Sequence, residues 1–295
     1  HIYLYSIRYA ICSTYLPIGS EVILGDSCHI FVYEQGGIAQ LAGVMPKTVP
    51  NEVDGTLSIT AVENAIRPED VTCHFPVTEL ICLENTQNKC GGKVLSIEYT
   101  DALCKMAHEH NIPVHIDGAR IWNAAETLQC SVARLTKGAD SISVCFSKGL
   151  GAPVGSCLVG PKHIIAKARR VRKSLGGGMR QAGVLAAACL QALDDYEAGM
   201  LRQDHINAKA LSAQLNALPG LTIHLASVES NLVILTVSDA IDLLELVKYL
   251  REYNIKISPR THNSTRLVLH RDILADDIDI IVNAFKNCTI KAMKS

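Results

Sequence analysis

A lysine stands where a short apolar run gives way to a glycine-rich loop. The run from Ile142 to Phe146 predicts a buried strand, and the glycines after Lys148 predict that the backbone turns there. A lysine held in such a place tends to lose its proton, because burying an ammonium group is costly. A neutral lysine amine is the nucleophile that forms Schiff bases with carbonyl compounds. On this stretch alone, an ordinary surface lysine is the alternative.

An aspartate ends another short apolar run earlier in the chain. Asp117 follows Val-His-Ile and precedes a glycine, and it could simply cap the next helix. However, residues 121–138 are long enough for a crossover helix, which would bring Asp117 and Lys148 to the same edge of a parallel sheet. A pyridoxal 5′-phosphate (PLP) site needs a Schiff-base lysine and a carboxylate that keeps the pyridine nitrogen protonated. Together the two stretches favour a cofactor site.

Three longer motifs resemble those of the low-specificity L-threonine aldolases, which are fold-type-I PLP-dependent enzymes. They are His-Ile-Asp-Gly-Ala-Arg-Ile-Trp-Asn-Ala around Asp117, Ser-Lys-Gly-Leu-Gly-Ala-Pro-Val-Gly-Ser around Lys148, and Gly-Gly-Gly-Met-Arg-Gln-Ala-Gly-Val-Leu-Ala-Ala-Ala from Gly176. The resemblance implies an α/β, transferase-like fold. We expect a large PLP-binding domain with a mostly parallel sheet over residues 19–200 and a smaller C-terminal α+β domain over residues 201–295. Residues 1–18 form an unmatched N-terminal segment.

The resemblance also implies which residues bind the cofactor. Lys148 would hold PLP covalently, Asp117 would keep its pyridine nitrogen protonated, and His29 would stack on its ring. Lys173 and Arg180 match family residues near the cofactor. Arg180 precedes a predicted helix, whose positive N-terminal end would repel the guanidinium unless an anion, such as a phosphate, lay between the two. A satisfied structural histidine is the alternative for His29.

Substrate contacts follow from the same resemblance. Arg120 and Arg266 would bind the α-carboxylate, because a planar guanidinium suits two-point binding of a carboxylate. Arg120 would also lie near the cofactor. A structural salt bridge is the alternative for Arg266. The base that takes the β-hydroxyl proton would be His29, His74 or a bound water, and the sequence leaves this choice open. A structural role is also the alternative for His74.

The reaction implied is the retro-aldol cleavage of L-threonine or L-allo-threonine to glycine and acetaldehyde by an aldehyde-lyase. Another fold-type-I activity, such as serine hydroxymethyl transfer or β-elimination, would use the same Lys148 and Asp117. An inactive protein derived from the aldolase is a further alternative. Family members carry a substrate-side serine and a phosphate-binding Gly-Thr pair that residues 1–18 do not match. We therefore expect an N-terminally incomplete chain that, as given, binds PLP weakly.

Composition argues against several function classes. A net charge of −1 and 5% aromatic residues give no nucleic-acid-binding footprint, and no apolar run reaches the roughly 18 residues of a membrane span. The 11 cysteines are odd in number and include no C-x-x-C pair, which favours reduced thiols over a disulfide framework. No cluster of metal ligands is found. We expect a cytoplasmic homodimer or homotetramer that acts on a small β-hydroxy-α-amino acid.

The remaining pattern predicts the elements around these residues. A strand at residues 22–24 should end near His29, and a helix from Val32 should be interrupted at Gly36. In the C-terminal part, the pattern predicts helices at 201–218, 240–253 and 276–286 and strands at 222–225, 232–237, 256–258 and 266–269.

Overall fold

The computed structural model describes residues 16–69 and 74–293. Most of the unmatched N-terminal segment therefore lies outside the described residues. The chain divides into two compact units, one within His1–Cys90 and Val94–Glu197, the other within Gly91–Lys93 and Ala198–Ser295. Within the described ranges, none of the helices combines the length and the apolar character needed to cross a membrane.

The first unit is built on a six-stranded sheet. The strand order is β2-β1-β3-β4-β5-β6; neighbouring strands from β2 to β5 pair in parallel, and β6 is antiparallel to β5. This confirms the mostly parallel sheet predicted from the sequence. The strands are Glu21–Gly25 (β1), Met45–Val49 (β2), Thr78–Glu84 (β3), Val114–Gly118 (β4), Ser141–Cys145 (β5) and Ser156–Val159 (β6).

The sequence pattern of each strand matches its place in the sheet. All residues of β1, β4 and β5 are buried, because helices cover both faces of a central parallel strand. The edge strand β6 instead alternates half-buried and exposed residues. The helices described in this unit are His29–Val32 (α1), Gly37–Gln40 (α2), Ile59–Ala65 (α3), Ile97–Glu109 (α4), Ile121–Leu128 (α5), Val132–Leu135 (α6), Lys162–Ser174 (α7) and Gly183–Glu197 (α8).

The order of the strands creates a switch point between β1 and β3. From β1 the chain passes to β2 on one side, and it then crosses to β3 on the other side of β1. Open α/β sheets bind ligands outside the carboxyl ends of the strands at such a point. His29 follows β1 and Glu84 ends β3, so both lie at this position.

The second unit contains a three-stranded antiparallel sheet with helices. Its described strands are Leu221–Thr222 (β7), Leu232–Val237 (β8) and Ser264–Val268 (β9), and its described helices are Met200–Asn216 (α9), Leu243–Arg251 (α10) and Asp277–Lys291 (α11). Phe285 of α11 is 1% exposed and belongs to one core cluster with Leu246 of α10 and Leu235 of β8. The amphipathic helices thus form this core with the sheet.

Two strands predicted in this unit differ from the structure. Residues 256–258 form no strand, and Pro259 pairs with Thr265 only through an isolated bridge. Proline has no backbone N–H to donate to a ladder, which prevents a longer pairing at this position. The strand predicted at 222–225 stops at Thr222, because a 3₁₀ turn follows at Leu225–Ser227.

Candidate active site

His29 and Glu84 meet at the switch point through a backbone contact. The backbone N–H of His29 donates to Oε2 of Glu84 at 2.7 Å, and the backbone N–H of Asn88 donates to Oε1 at 3.0 Å. Glu84 is 8% exposed, and each of its oxygens accepts a hydrogen bond from a turn that follows a strand. This carboxylate therefore fixes the start of α1, and with it His29, to the end of β3.

Asp117 lies beside Glu84 on the neighbouring strand. The two are register partners in β3 and β4. Asp117 is 3% exposed, and its Oδ1 accepts the backbone N–H of Ala119 at 3.2 Å. Burial, and after it the charge of Asp117, raise the pKa of Glu84 above its ordinary value. Two carboxyl groups at one sheet edge favour a protonated nitrogen beside them.

Lys148 lies in the loop that joins β5 to β6, and its side chain is half-buried. The backbone N–H of Gly151 donates to the Lys148 carbonyl at 2.9 Å, and that of Phe146 donates to the Gly155 carbonyl at 3.0 Å. Gly151 has a φ of 76° and Gly155 a φ of 124°, which glycine adopts without strain. Because β4 and β5 pair in parallel, Asp117 near the carboxyl end of β4 and Lys148 after β5 lie at the same edge of the sheet.

The imidazole of His29 is held by a buried carboxylate. Its Nε2 lies 2.9 Å from Oε1 of Glu34, and the side chains of His29 and Glu34 are 31% and 1% exposed. The Tyr33 ring lies nearby, with the ring centroids 5.3 Å apart and the planes inclined at 47°. The histidine ring is therefore fixed on one edge and partly open to solvent.

Gln87 joins the two turns at the switch point from a buried position. Its Nε2 donates to the carbonyl of Ser27 at 3.1 Å, and its Oε1 accepts the backbone N–H of Cys90 at 2.9 Å. Both ends of the amide thus hold the loop after β1 against the turn after β3. Gln87 has a structural function here.

Four further residues predicted for the site lie on different elements, and Arg120 shares the sheet edge of Asp117. Arg120 directly precedes α5, at the carboxyl edge of β4, and is half-buried. Lys173 lies in the last turn of α7 and Arg180 in the loop before α8, and both are exposed. Arg266 belongs to β9 of the second unit and is half-buried there.

His74 lies apart from these residues in the described chain. It is exposed and precedes the first residue of β3, on the amino side of the sheet. Its neighbour Phe75 packs against the guanidinium of Arg67, 5.4 Å from the ring centroid, and Arg67 pairs at 3.0 Å with Glu21, the first residue of β1. The structure thus groups His74 with the amino edge of the sheet, opposite the edge that carries Lys148.

Sequence reasoning did not identify Glu34 or Glu84 as parts of this site. Glu84 ends an apolar run, so the strand-end signal is present in the sequence. Glu34 carries no such signal, because its approach to His29 depends on a turn in which Gln35 has a φ of 55° and Gly36 a φ of 65°. Turn geometry of this kind is not visible in residue spacing.

The chain is similar to proteins of one family along most of its length. Residues 10–238 match the beta-eliminating lyase family. Low-specificity L-threonine aldolase 1 of Arabidopsis thaliana is 46% identical over 274 residues, which cover 92% of this chain and 76% of that protein. Low specificity L-threonine aldolase of Escherichia coli K12 is 38% identical over 260 residues, which cover 88% and 74%.

The fold agrees with these sequence relationships. The solved structure of the Leishmania major threonine aldolase has a TM-score of 0.79 to this chain at 19% identity, and the match covers 98% of this chain and 83% of that one. At this identity the likeness concerns the fold alone, and it confirms the predicted α/β, fold-type-I transferase-like architecture. From its sequence relatives, the chain belongs to the beta-eliminating lyase family, among the low-specificity L-threonine aldolases.

Proposed function

We propose that this protein is a carbon–carbon lyase that uses PLP to cleave L-threonine and L-allo-threonine to glycine and acetaldehyde. The observation that carries the proposal is the placement of the buried Asp117 near the carboxyl end of β4 and of Lys148 after β5, the adjacent parallel strand, at one sheet edge. The relatives named as low-specificity L-threonine aldolases supply the choice of substrate and reaction.

The residues at this edge fit PLP by their chemistry. A lysine in a partly desolvated loop can supply the neutral amine that binds the cofactor aldehyde, and this is the role of Lys148. Asp117 would pair with the pyridine nitrogen, and Lys173 and Arg180 are the proposed cationic partners of the phosphate. When bound, PLP supplies an electron sink for the electron pair left on Cα. His29 would cover one face of the ring.

The protein groups act on the substrate at its carboxylate and its hydroxyl. Arg120 and Arg266 hold the α-carboxylate, and a two-point guanidinium contact fixes the direction of the Cα–Cβ bond. His29 takes the β-hydroxyl proton as that bond breaks, because its ring is partly open to solvent at the switch point. His74, on the amino side of the sheet, is the weaker candidate for this base. A proton returns to Cα before glycine leaves.

The proposal extends to assembly and compartment. Helix α8 exposes Val184 and Leu190 at 83% and 63%, which is surface that a second copy of the chain would cover in a homodimer or homotetramer. The described cysteines are free thiols, and reduced thiols suit the cytoplasm.

Reduction with borohydride in the presence of PLP tests the cofactor assignment. Peptide mapping should place the reduced pyridoxyl group on Lys148 and on no other lysine. Lys148→Ala should lose the label, whereas Lys105→Ala, which removes an 80% exposed lysine of α4, should keep it. A label on a different lysine would contradict the assignment.

Substrate comparison separates the threonine aldolase reaction from other activities of this fold. With L-threonine, the protein should release acetaldehyde and glycine in equal amounts. Faster folate-dependent formation of glycine from serine would assign the site to hydroxymethyl transfer instead. Faster release of ammonia and a keto acid from serine would assign it to β-elimination.

A further inference from the structure

Glu34 is a buried carboxylate in contact with the side chain of His29. We infer that Glu34 is a positioning residue, which fixes the orientation and the tautomer of the imidazole so that Nε2 carries the proton and Nδ1 accepts the substrate proton. The catalytic part of this inference rests on the proposed function, in which His29 acts as the base.

The tautomer follows from the chemistry of the contact. An ionised carboxylate has only acceptor atoms, so the hydrogen between Oε1 of Glu34 and Nε2 of His29, which are 2.9 Å apart, belongs to the imidazole. A neutral imidazole with its proton on Nε2 has its lone pair on Nδ1. Because Glu34 is 1% exposed, water competes little for the contact and the pairing is stronger than it would be at the surface.

A reverse turn directs Glu34 toward His29. The carbonyl of Glu34 accepts the backbone N–H of Gly37 at 2.9 Å, and the two residues between them, Gln35 and Gly36, have φ values of 55° and 65°. A residue other than glycine in this left-handed region costs about 1 kcal/mol. The turn that carries the Glu34 carboxylate therefore has an unfavourable backbone conformation at Gln35, which the rest of the fold stabilises.

The main chain of His29 is fixed as well as its ring. Its backbone N–H donates to Glu84 at 2.7 Å, and Tyr33 lies against the imidazole at 5.3 Å. The pair of His110 and Glu63 provides a contrast, because these side chains are 40% and 49% exposed and lie 3.2 Å apart. An exposed pair of that kind contributes little to stability or to orientation.

The contact has a direct consequence for proton transfer. Nδ1 of His29 takes the proton of the β-hydroxyl group, the electron pair of that O–H bond forms the C=O bond of acetaldehyde, and the pair of the Cα–Cβ bond stays on Cα. The imidazole is then a cation whose Nε2–H faces the Glu34 carboxylate, which stabilises the charge as it develops. The proton leaves Nδ1 for solvent before the next substrate binds.

Long-range ¹H–¹⁵N correlation spectra of the cofactor-free protein measure the tautomer directly. We expect His29 to carry its proton on Nε2 in the wild type and to show a mixture of tautomers in Glu34→Met. Glu63→Gln is the matched control and should leave the His29 spectrum unchanged. A wild-type His29 with its proton on Nδ1 would overturn the inference. Because neither cofactor nor substrate is present, this result does not depend on the proposed function.

Kinetics of the PLP-loaded enzyme test the catalytic part. Glu34→Gln keeps the shape of the side chain and an acceptor oxygen but removes the charge, so kcat for L-threonine should fall by about 10- to 100-fold, with KM changed less than about twofold. In a His29→Ala background the same substitution should have no further effect, because Glu34 acts through His29. An equal loss in both backgrounds, or a change confined to KM, would refute the positioning role. If borohydride reduction labelled a lysine other than Lys148 while the spectra still showed the His29 proton on Nε2, the proposed function would be wrong and the tautomer assignment would stand.

Discussion

Asp204 is a carboxyl group buried in the second unit, and Asp204→Asn tests what its burial costs. It lies in α9, is 2% exposed, and its Oδ2 accepts no hydrogen bond among the described residues. Burial raises the pKa of Asp204 from 3.8 to about 6; the charge of Arg271 lowers it and that of Asp272 raises it. The folded state therefore favours the protonated form.

The magnitude follows from linkage between protonation and folding. The pKa of Asp204 is higher in the folded state than in the unfolded state, so its contribution to stability is fully present below pH 3.8 and is lost as the pH rises through about 6. A shift of this size, from 3.8 to about 6, corresponds to about 3 kcal/mol at 1.36 kcal/mol per pKa unit. Asparagine does not titrate, so any cost of burying its amide is the same at every pH.

Urea unfolding of the wild type and of Asp204→Asn, measured from pH 4 to pH 8, provides the assay. The free energy of unfolding of the variant minus that of the wild type should rise by about 2.4 kcal/mol across this range, because about 0.6 of the 3 kcal/mol is already lost at pH 4. Asp239→Asn, in an exposed turn of the same unit, should show no such rise. A difference for Asp204→Asn that stays constant with pH would refute the reasoning.

Two further substitutions test the proposed roles at the candidate site. Asp117→Ala should reduce kcat far more than PLP affinity, because a protonated pyridine matters most when the electron pair forms on Cα, and an unaltered kcat would rule out that role. Arg266→Lys should raise KM for L-threonine by roughly 10-fold or more, since an ammonium cannot make the planar two-point contact and a charged hydrogen bond contributes about 1.5–3 kcal/mol; an unchanged KM would identify a structural arginine.

The strand-end placement of Lys148 and Asp117 was predictable because it depends on local patterns. An apolar run followed by a charged residue and glycine marks the end of a buried strand, and parallel strands bring their carboxyl ends to one edge. The contacts of His29 were not predictable in this way. They depend on the pairing of β1 with β3, which is distant in sequence, and on the left-handed backbone at Gln35.

The boundaries of helices were also not fully predictable from local sequence patterns. The sequence predicts a helix from Val32 with a break at Gly36, whereas α1 spans His29–Val32 and α2 begins at Gly37. Helix α1 begins early because the Glu84 carboxylate accepts the N–H of its first residue, and periodicity alone does not reveal a cap supplied by another strand.

The Lys148 loop is closed by residues that are near one another in sequence. Cys145 pairs with Ser156 across β5 and β6, whereas the pairing of β1 with β3 joins Glu21 to Thr78. Closure entropy grows with the logarithm of loop length, so aligning β1 with β3 costs about 1.5 kcal/mol more. Local contacts also tend to form earlier in folding. When the whole chain refolds, we therefore expect the Lys148 loop to form before β1 pairs with β3, so the proposed Schiff-base amine meets aldehydes before the switch point that holds His29 is built.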